Sequence, residues 1–131
     1  MAVKREFLKP SWEAQFTYSP AVITEGSGRM VFLAGQVGIV DDAGKPIADF
    51  DAQVRQALRN VEKVVKRAGG TLKDIVTMTV FIKDATKSQR FTTIRGEFFP
   101  DNFPASALLT AAGFATPEIQ VEIQSIAVLD K

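Results

Sequence analysis

The sequence predicts an α+β two-layer sandwich, in which a mixed β-sheet carries two helices on one face. Two segments place their apolar residues at helical spacing, 50–68 and 86–99. Five others have the composition or the two-residue period of strands: 4–9, 29–40, 75–83, 105–112 and the stretch from 118 onward. The order is strand, strand, helix, strand, helix, strand, strand, so both helices return to the same sheet.

Composition sets limits on function. The chain has 131 residues, of which 46% are apolar, and this predicts one domain over residues 1–131 with one core. It has no cysteine and no histidine, so disulfides, thiolate chemistry and the commonest general base and metal ligand are absent. A net charge of +1 gives no general electrostatic case for binding nucleic acid or a membrane surface. Without a long apolar run, the expectation is a soluble cytoplasmic protein with no metal site.

The first helix, over residues 50–68, is expected to be scaffold. Its apolar residues form one stripe, which is typical of a helix packed on a sheet. Asp49 or Asp51 can cap its start, and Gly69 or Gly70 can take the left-handed position after its end.

The second helix, over residues 86–99, carries an unexpected cation. Its apolar stripe consists of Phe91, Ile94, Phe98 and Phe99, and Arg95 lies within that stripe. A guanidinium there must extend to solvent, pair with a carboxylate or bind a ligand. The spacing leaves these alternatives open.

The last predicted strand has a polar face. From residue 118, apolar and polar side chains alternate, so that Glu118, Gln120, Glu122 and Gln124 share one face. Such a row can hold a water or a polar ligand, or it can simply face solvent. Earlier in the chain, Gly35 and Gly38 interrupt the strand at 29–40 and indicate a bulge or a close approach.

Apolar residues occupy both faces of the strands at 29–40 and 75–83. Two helices cover only one face of a sheet, so the second face is expected to be buried as well. In a soluble protein this predicts an oligomer whose sheets pack together.

The chain resembles the RidA family, also called YjgF or L-PSP, over nearly its whole length. The matching segments are YSPAV at 18–22, VFLAGQ at 31–36, AGG at 68–70, FF at 98–99, FPA at 103–105, VEI at 121–123 and IAV at 126–128, with Gln53 and Asn60 on the first helix. The resemblance implies a chorismate-mutase-like fold and a homotrimer with three clefts between subunits. It also implies deamination, without a cofactor, of reactive imines and enamines that pyridoxal-phosphate enzymes make from amino acids.

The same resemblance assigns candidate site residues. It implies that Tyr18 closes one wall of the cleft and that Glu122 holds and activates water. Ala34 and Gly35 match the family's Ser-Gly pair, so a hydroxyl is lost while the backbone contact can remain. Ser106 stands where the family has the arginine that binds the substrate carboxylate.

Arg95 stands near a position where the family often has an asparagine, and it is the nearest candidate for the missing cation. Our hypothesis is that Arg95 points into the intersubunit cleft and supplies the positive charge from another side. Its partner would be an acidic ligand, or Glu122 when the site is empty.

Three functions follow. The first is a Rid-type deaminase with an altered substrate range, and the second is a non-catalytic trimer that binds small metabolites or a partner protein. The third is the endoribonuclease activity attached to the L-PSP name, which ranks last because near-neutral charge and the lack of histidine disfavour RNA binding and cleavage.

Overall fold

The computed structural model of the chain describes residues 2–131, so residue 1 of the predicted domain lies outside the described residues. Its strands are β1 (Lys4–Phe7), β2 (Val22–Glu25), β3 (Gly28–Gln36), β4 (Ile75–Ile82), β5 (Ala105–Thr110) and β6 (Val121–Asp130). Its α-helices are α1 (Phe50–Arg67) and α2 (Ser88–Phe98). Three short 3-10 helices cover Trp12–Phe16, Leu72–Asp74 and Ala85–Lys87.

The main sheet has four strands in the order β3-β6-β4-β5. Strands β4 and β5 are parallel, whereas β6 runs antiparallel to both of its neighbours. Strands β1 and β2 form a separate antiparallel pair. Both helices pack on one face of the four-stranded sheet, so the predicted α+β sandwich with a mixed sheet is confirmed.

The core lies between the helices and the sheet. Its fully buried members come from α1, β4, α2 and β6: Val54, Leu58, Val61, Met78, Val80, Ile82, Phe91, Ile94 and Ile123. Each such side chain stabilises the fold by about 1.5–3 kcal/mol relative to an exposed one. The apolar stripe predicted for α1 therefore faces the sheet.

The ends of α1 resolve two alternatives that the sequence left open. The Asp49 carboxylate accepts a hydrogen bond from the backbone N–H of Ala52 at 2.9 Å, so Asp49 rather than Asp51 caps the helix. After the helix, Gly69 takes the left-handed conformation with φ of 97°.

Strand β3 ends at Gln36 instead of at residue 40, because the chain there turns from the sheet to α1. The Asn60 side chain on α1 donates to the Val37 carbonyl at 2.8 Å. Gly38 then lies directly against the backbone of α1, where a Cβ would meet the Gln53 carbonyl and lie 2.8 Å from the Ala57 nitrogen. The close approach expected of a glycine in this segment therefore occurs at Gly38.

Other elements end within about two residues of the prediction, but two differences have a tertiary cause. Val22–Glu25 forms a strand because it pairs with β1, a long-range partner that local sequence does not reveal. Strand β6 starts at Val121 rather than at residue 118, because the buried Gln53 amide binds the preceding backbone. Gln53 donates to the Glu118 carbonyl at 2.9 Å and accepts from the Gln120 N–H at 3.0 Å.

The face of the sheet opposite the helices, which we call the open face, carries large apolar side chains. Phe32 is 71% exposed and Met30 is 60% exposed in the single subunit. Thr77, Thr79, Gln124 and Ile126 surround a shallow depression of about 190 Å³ beside Phe32. Among the described residues, neither helix has both the length and the apolar character that crossing a membrane requires.

Candidate functional site

Arg95 lies on α2 with its side chain buried between the helix and β5, and only 1% of the residue is exposed. The guanidinium donates three hydrogen bonds, all to uncharged oxygens. Nε reaches Thr17 Oγ1 at 3.1 Å, Nη2 reaches the Phe16 carbonyl at 3.0 Å, and Nη1 reaches Ser106 Oγ at 2.6 Å. An arginine has five N–H donors, so two remain without a partner among the described residues.

The charge of Arg95 has no counter-ion in the part of the chain that the structure describes. The ion pairs among the described residues all involve other cations. The Arg95 guanidinium instead lies 5.2 Å from the centre of the Phe91 ring. Burial lowers the pKa of Arg95 to about 10, and the nearby Tyr18 acts in the opposite direction. Arg95 is therefore still a cation at neutral pH, and a buried unpaired cation is costly.

Two of the alternatives for Arg95 are thus wrong. The guanidinium does not extend to solvent, and it does not pair with a structural carboxylate of the described residues. The physical reason is that the oxygens of Phe16 and Thr17, far away in sequence, lie over it and supply its hydrogen bonds. The third alternative, a ligand that binds Arg95, stays a prediction.

A pocket of about 410 Å³ opens beside Arg95 at the edge strand β5, and we call it the Arg95 pocket. Its lining residues are Phe16, Tyr18, Ser88, Thr92, Arg95, Ser106, Ala107 and Leu108. Three of the site residues predicted from sequence, Tyr18, Arg95 and Ser106, therefore lie together. Arg95 is the sole cation in the lining.

Sequence reasoning missed Ser88 and Thr92, which also line this pocket. They precede Arg95 by seven and three residues, so all three lie on one face of α2. That spacing was the signal that could have found them.

Tyr18 is positioned by the edge of the sheet. The next residue, Ser19, forms a parallel bridge with Ala105, and its N–H donates to the Pro104 carbonyl at 3.1 Å. The Trp12 ring packs edge-on against both Tyr18 and Phe16, with ring centres 6.0 Å and 6.3 Å apart. The aromatic wall of the pocket is thus held from behind by Trp12.

Glu122, Ala34 and Gly35 lie together at a second place in the sheet. The pairing of β3 with β6 is interrupted between Leu33 and Gln36, so Ala34 and Gly35 form the bulge that the glycine predicted. The Glu122 side chain lies over Gly35, where an added Cβ would clash with Oε2 and lie 2.8 Å from Cδ. Among the described residues, no hydrogen bond or ion pair engages the Glu122 carboxylate, so its oxygens are available to a water or a ligand.

These two groups of residues lie on opposite faces of the sheet. Ser106 pairs with Met78, whose side chain points to the helices, whereas Glu122 pairs with Phe81 on the open face. Within one subunit no contact joins Arg95 to Glu122. The hypothesis that they meet therefore requires two subunits.

No group of three or more acidic side chains within residues 2–131 is placed to hold a metal ion. What the structure offers is a buried cation beside a pocket and an unpaired carboxylate on the other face of the sheet. Together with the fold, this defines a small α+β protein with a cation-lined pocket at the edge of its sheet.

The chain belongs to the endoribonuclease L-PSP family, whose sequence pattern matches residues 9–129. It is 35% identical over 104 residues to the 2-iminobutanoate/2-iminopropanoate deaminase of Escherichia coli K12, covering 77% of this chain and 80% of the relative. It is 33% identical over 120 residues to a RutC family protein of Haemophilus influenzae, covering 88% and 92% of the two chains.

Solved structures agree with this assignment. A Rid-family protein of unknown function from Yersinia pestis matches with a TM-score of 0.83 and 26% identity, covering 95% of this chain and 98% of that one. The YjgF gene product of E. coli matches with a TM-score of 0.71 and 32% identity, covering 85% and 87%. The resemblance to the RidA, YjgF or L-PSP family is thereby confirmed.

Gly35 and Gly38, which both lie in close contacts, provide a matched test of the Glu122 position. Gly35→Ala is expected to leave the fold intact, because its new methyl group meets only the flexible end of the Glu122 side chain, which can swing away. Gly38→Ala meets the backbone of α1 and should destabilise the protein by about 1–3 kcal/mol. Denaturant unfolding measures both. A loss for Gly35→Ala as large as that for Gly38→Ala would show that the Glu122 side chain cannot move away from Gly35.

Proposed function

We propose that this protein is a Rid-type deaminase, which hydrolyses reactive imines or enamines to a carbonyl compound and ammonia. The observation that carries the proposal is the buried Arg95 cation, which lines a pocket and has two N–H donors without a partner among residues 2–131. A carboxylate on the substrate would supply the missing negative charge. The name of the E. coli relative, which has an imino acid as substrate, supports the same chemistry.

The reaction needs little from the protein besides positioning. An imine carbon is already electrophilic, and a water that adds to it gives a carbinolamine, which then expels ammonia and leaves the carbonyl. Glu122 can accept a proton from the attacking water and pass it to the imine nitrogen, and then move the remaining hydroxyl proton to the amino group, which leaves as ammonia while the carbonyl forms. Arg95 would bind the substrate carboxylate. Water would then attack an imine carbon that is already held at a set distance and orientation, which lowers the entropic cost of the reaction.

The complete site would form between subunits of a homotrimer. Arg95 and Glu122 lie on opposite faces of one sheet, so the Arg95 pocket of one copy has to face the Glu122 of another. The exposed Phe32 and Met30 support this assembly, because a soluble protein rarely leaves such large side chains open.

The open face gives a prediction for assembly. Phe32→Asp should dissociate the oligomer and leave a folded monomer, because Phe32 is 71% exposed in the single subunit. Val80 is fully buried under the helices, so Val80→Asp should unfold the protein instead. Light scattering and circular dichroism distinguish the two. A wild-type monomer at micromolar concentration would contradict the assembly.

The substrate range is expected to differ from that of the family pattern. Ser106 replaces the family arginine on β5 and accepts a hydrogen bond from Arg95 on α2. The cation therefore approaches the pocket from the helix rather than from the strand. A substrate acid group would bind in a correspondingly different pose.

The direct test uses imines generated in situ by an amino-acid oxidase, with release of the carbonyl product followed over time. Purified protein should accelerate release over buffer, and Glu122→Gln should not. If no imine from a broad set of amino acids is hydrolysed faster, the deaminase proposal fails.

A second candidate is a non-catalytic trimer that binds small acids. The replacement of the family's Ser-Gly pair by Ala34-Gly35 favours it, because one hydroxyl near the water site is lost. Acid binding in the absence of any turnover would support it. The endoribonuclease that gives the family its name remains the weakest candidate, because a net charge of +1 and the lack of histidine suit RNA cleavage poorly.

A further inference from the structure

The lining of the Arg95 pocket combines one cation with mostly apolar surface. It includes the aromatic residues Phe16 and Tyr18 and, from the edge strand β5, Ala107 and Leu108. Hydroxyl groups are supplied by Ser88, Thr92 and Ser106. This division suits a ligand with an acid group at one end and an apolar body at the other.

The size of the pocket argues against a very small ligand. Its volume of about 410 Å³ falls within the range of pockets that enclose drug-sized molecules. A short aliphatic imino acid would occupy only a small part of the pocket, and the apolar lining would stay in contact with water. A larger side chain would remove that apolar surface from water and gain affinity.

The aromatic wall favours a flat side chain in particular. Aromatic rings attract other rings in edge-on or offset arrangements, beyond the gain from burial alone. The rings of Phe16 and Tyr18 both contact the Trp12 ring edge-on, so the wall belongs to a cluster of three aromatic residues.

We infer that the Arg95 pocket selects carboxylates that carry an aromatic side chain, and that the preferred substrates are imines of aromatic amino acids. The inference rests on the proposed function of the same site. The carboxylate would bind the free N–H donors of Arg95, and the ring would lie between Phe16 and Leu108.

Calorimetric titration with stable acids tests the inference without catalysis. The probes are propanoate, 3-phenylpropanoate and the uncharged 3-phenylpropan-1-ol. Wild-type protein should bind 3-phenylpropanoate about tenfold or more tightly than propanoate, because of the buried ring. The alcohol should bind more weakly than the corresponding acid, because it lacks the charge that Arg95 needs.

Variants of the aromatic wall identify the source of the preference. Phe16→Ala should lower 3-phenylpropanoate affinity far more than propanoate affinity and so remove most of the difference between the two acids, since the ring is lost while the Phe16 carbonyl that accepts from Arg95 remains. Phe16→Leu serves if the alanine variant does not fold. Tyr18→Phe keeps the ring and should keep the preference.

The outcomes separate this inference from the proposed function. Equal affinity for the two acids, or a preference that survives Phe16→Ala, would overturn the aromatic selectivity and leave the deaminase proposal standing. Failure of every acid to bind would remove Arg95 as an anchor and overturn both. Tight binding of the alcohol would show an apolar pocket that does not read charge, and would overturn the inference.

Discussion

Arg95→Met is expected to weaken the binding of acidic ligands by about 10²-fold or more, because truncating one member of a buried charged pair has effects of this order. It removes the sole cation of the pocket lining. The protein should still fold. Loss of three hydrogen bonds destabilises it, but removal of a buried charge without a counter-ion offsets that loss, so the free energy of unfolding should change by less than about 2 kcal/mol.

A second arginine on the same helix is the matched control. Arg90 pairs with Asp51 at 2.6 Å, and 47% of its side chain is exposed to solvent. Arg90→Met should leave ligand affinity unchanged and alter stability by less than about 1 kcal/mol, as is usual for surface pairs. Undiminished acid binding by Arg95→Met would exclude Arg95 as the anchor.

The pH dependence of binding offers a further check on the same residue. Burial lowers the pKa of Arg95 to about 10. In the folded protein its guanidinium is therefore charged at neutral pH and loses that charge as the pH rises through about 10. Acid affinity should therefore be level near neutral pH and fall as the pH passes about 10. An arginine with its ordinary pKa would keep its charge well beyond that point.

Glu122→Gln is expected to lower the rate of imine hydrolysis by about 10²–10⁴-fold, the usual contribution of a general base. Glutamine keeps the size of the side chain over Gly35 but cannot accept the proton of the attacking water. Substrate affinity should change little, because the proposed anchor of the substrate carboxylate is Arg95 rather than Glu122. Single-turnover rates and separate binding measurements distinguish the two effects.

Glu118→Gln is the control for this substitution. Glu118 belongs to the same polar row in the sequence, but it is exposed and precedes β6. Its replacement should leave the rate unchanged. If a folded Glu122→Gln protein turns over normally, water is activated elsewhere. If wild-type protein binds acids through Arg95 yet hydrolyses no imine, the non-catalytic binder is the better account.

The sequence by itself determined both helices, every strand except β2, and the buried faces of these elements. Alternation along β6 placed Ile123 in the core and Glu122 on the opposite face, and the helical stripe of α1 placed Val54 and Val61 against the sheet. Such patterns follow from the geometry of one strand or one helix, so neighbouring residues are enough to read them. The same local reading placed Arg95 on the inner face of α2.

Only the tertiary structure decided what surrounds those side chains. Arg95 is covered by Phe16 and Thr17, which are 79 and 78 positions away in the chain, and no local pattern encodes that contact. Val80 and Phe32 both belong to apolar strands, yet one lies under the helices and the other on the open face. Which face of a strand is covered by helices depends on how elements that are distant in the sequence pack against the sheet. The environment of a side chain, and with it the charge that Arg95 can bind, is therefore set by long-range packing rather than by periodicity.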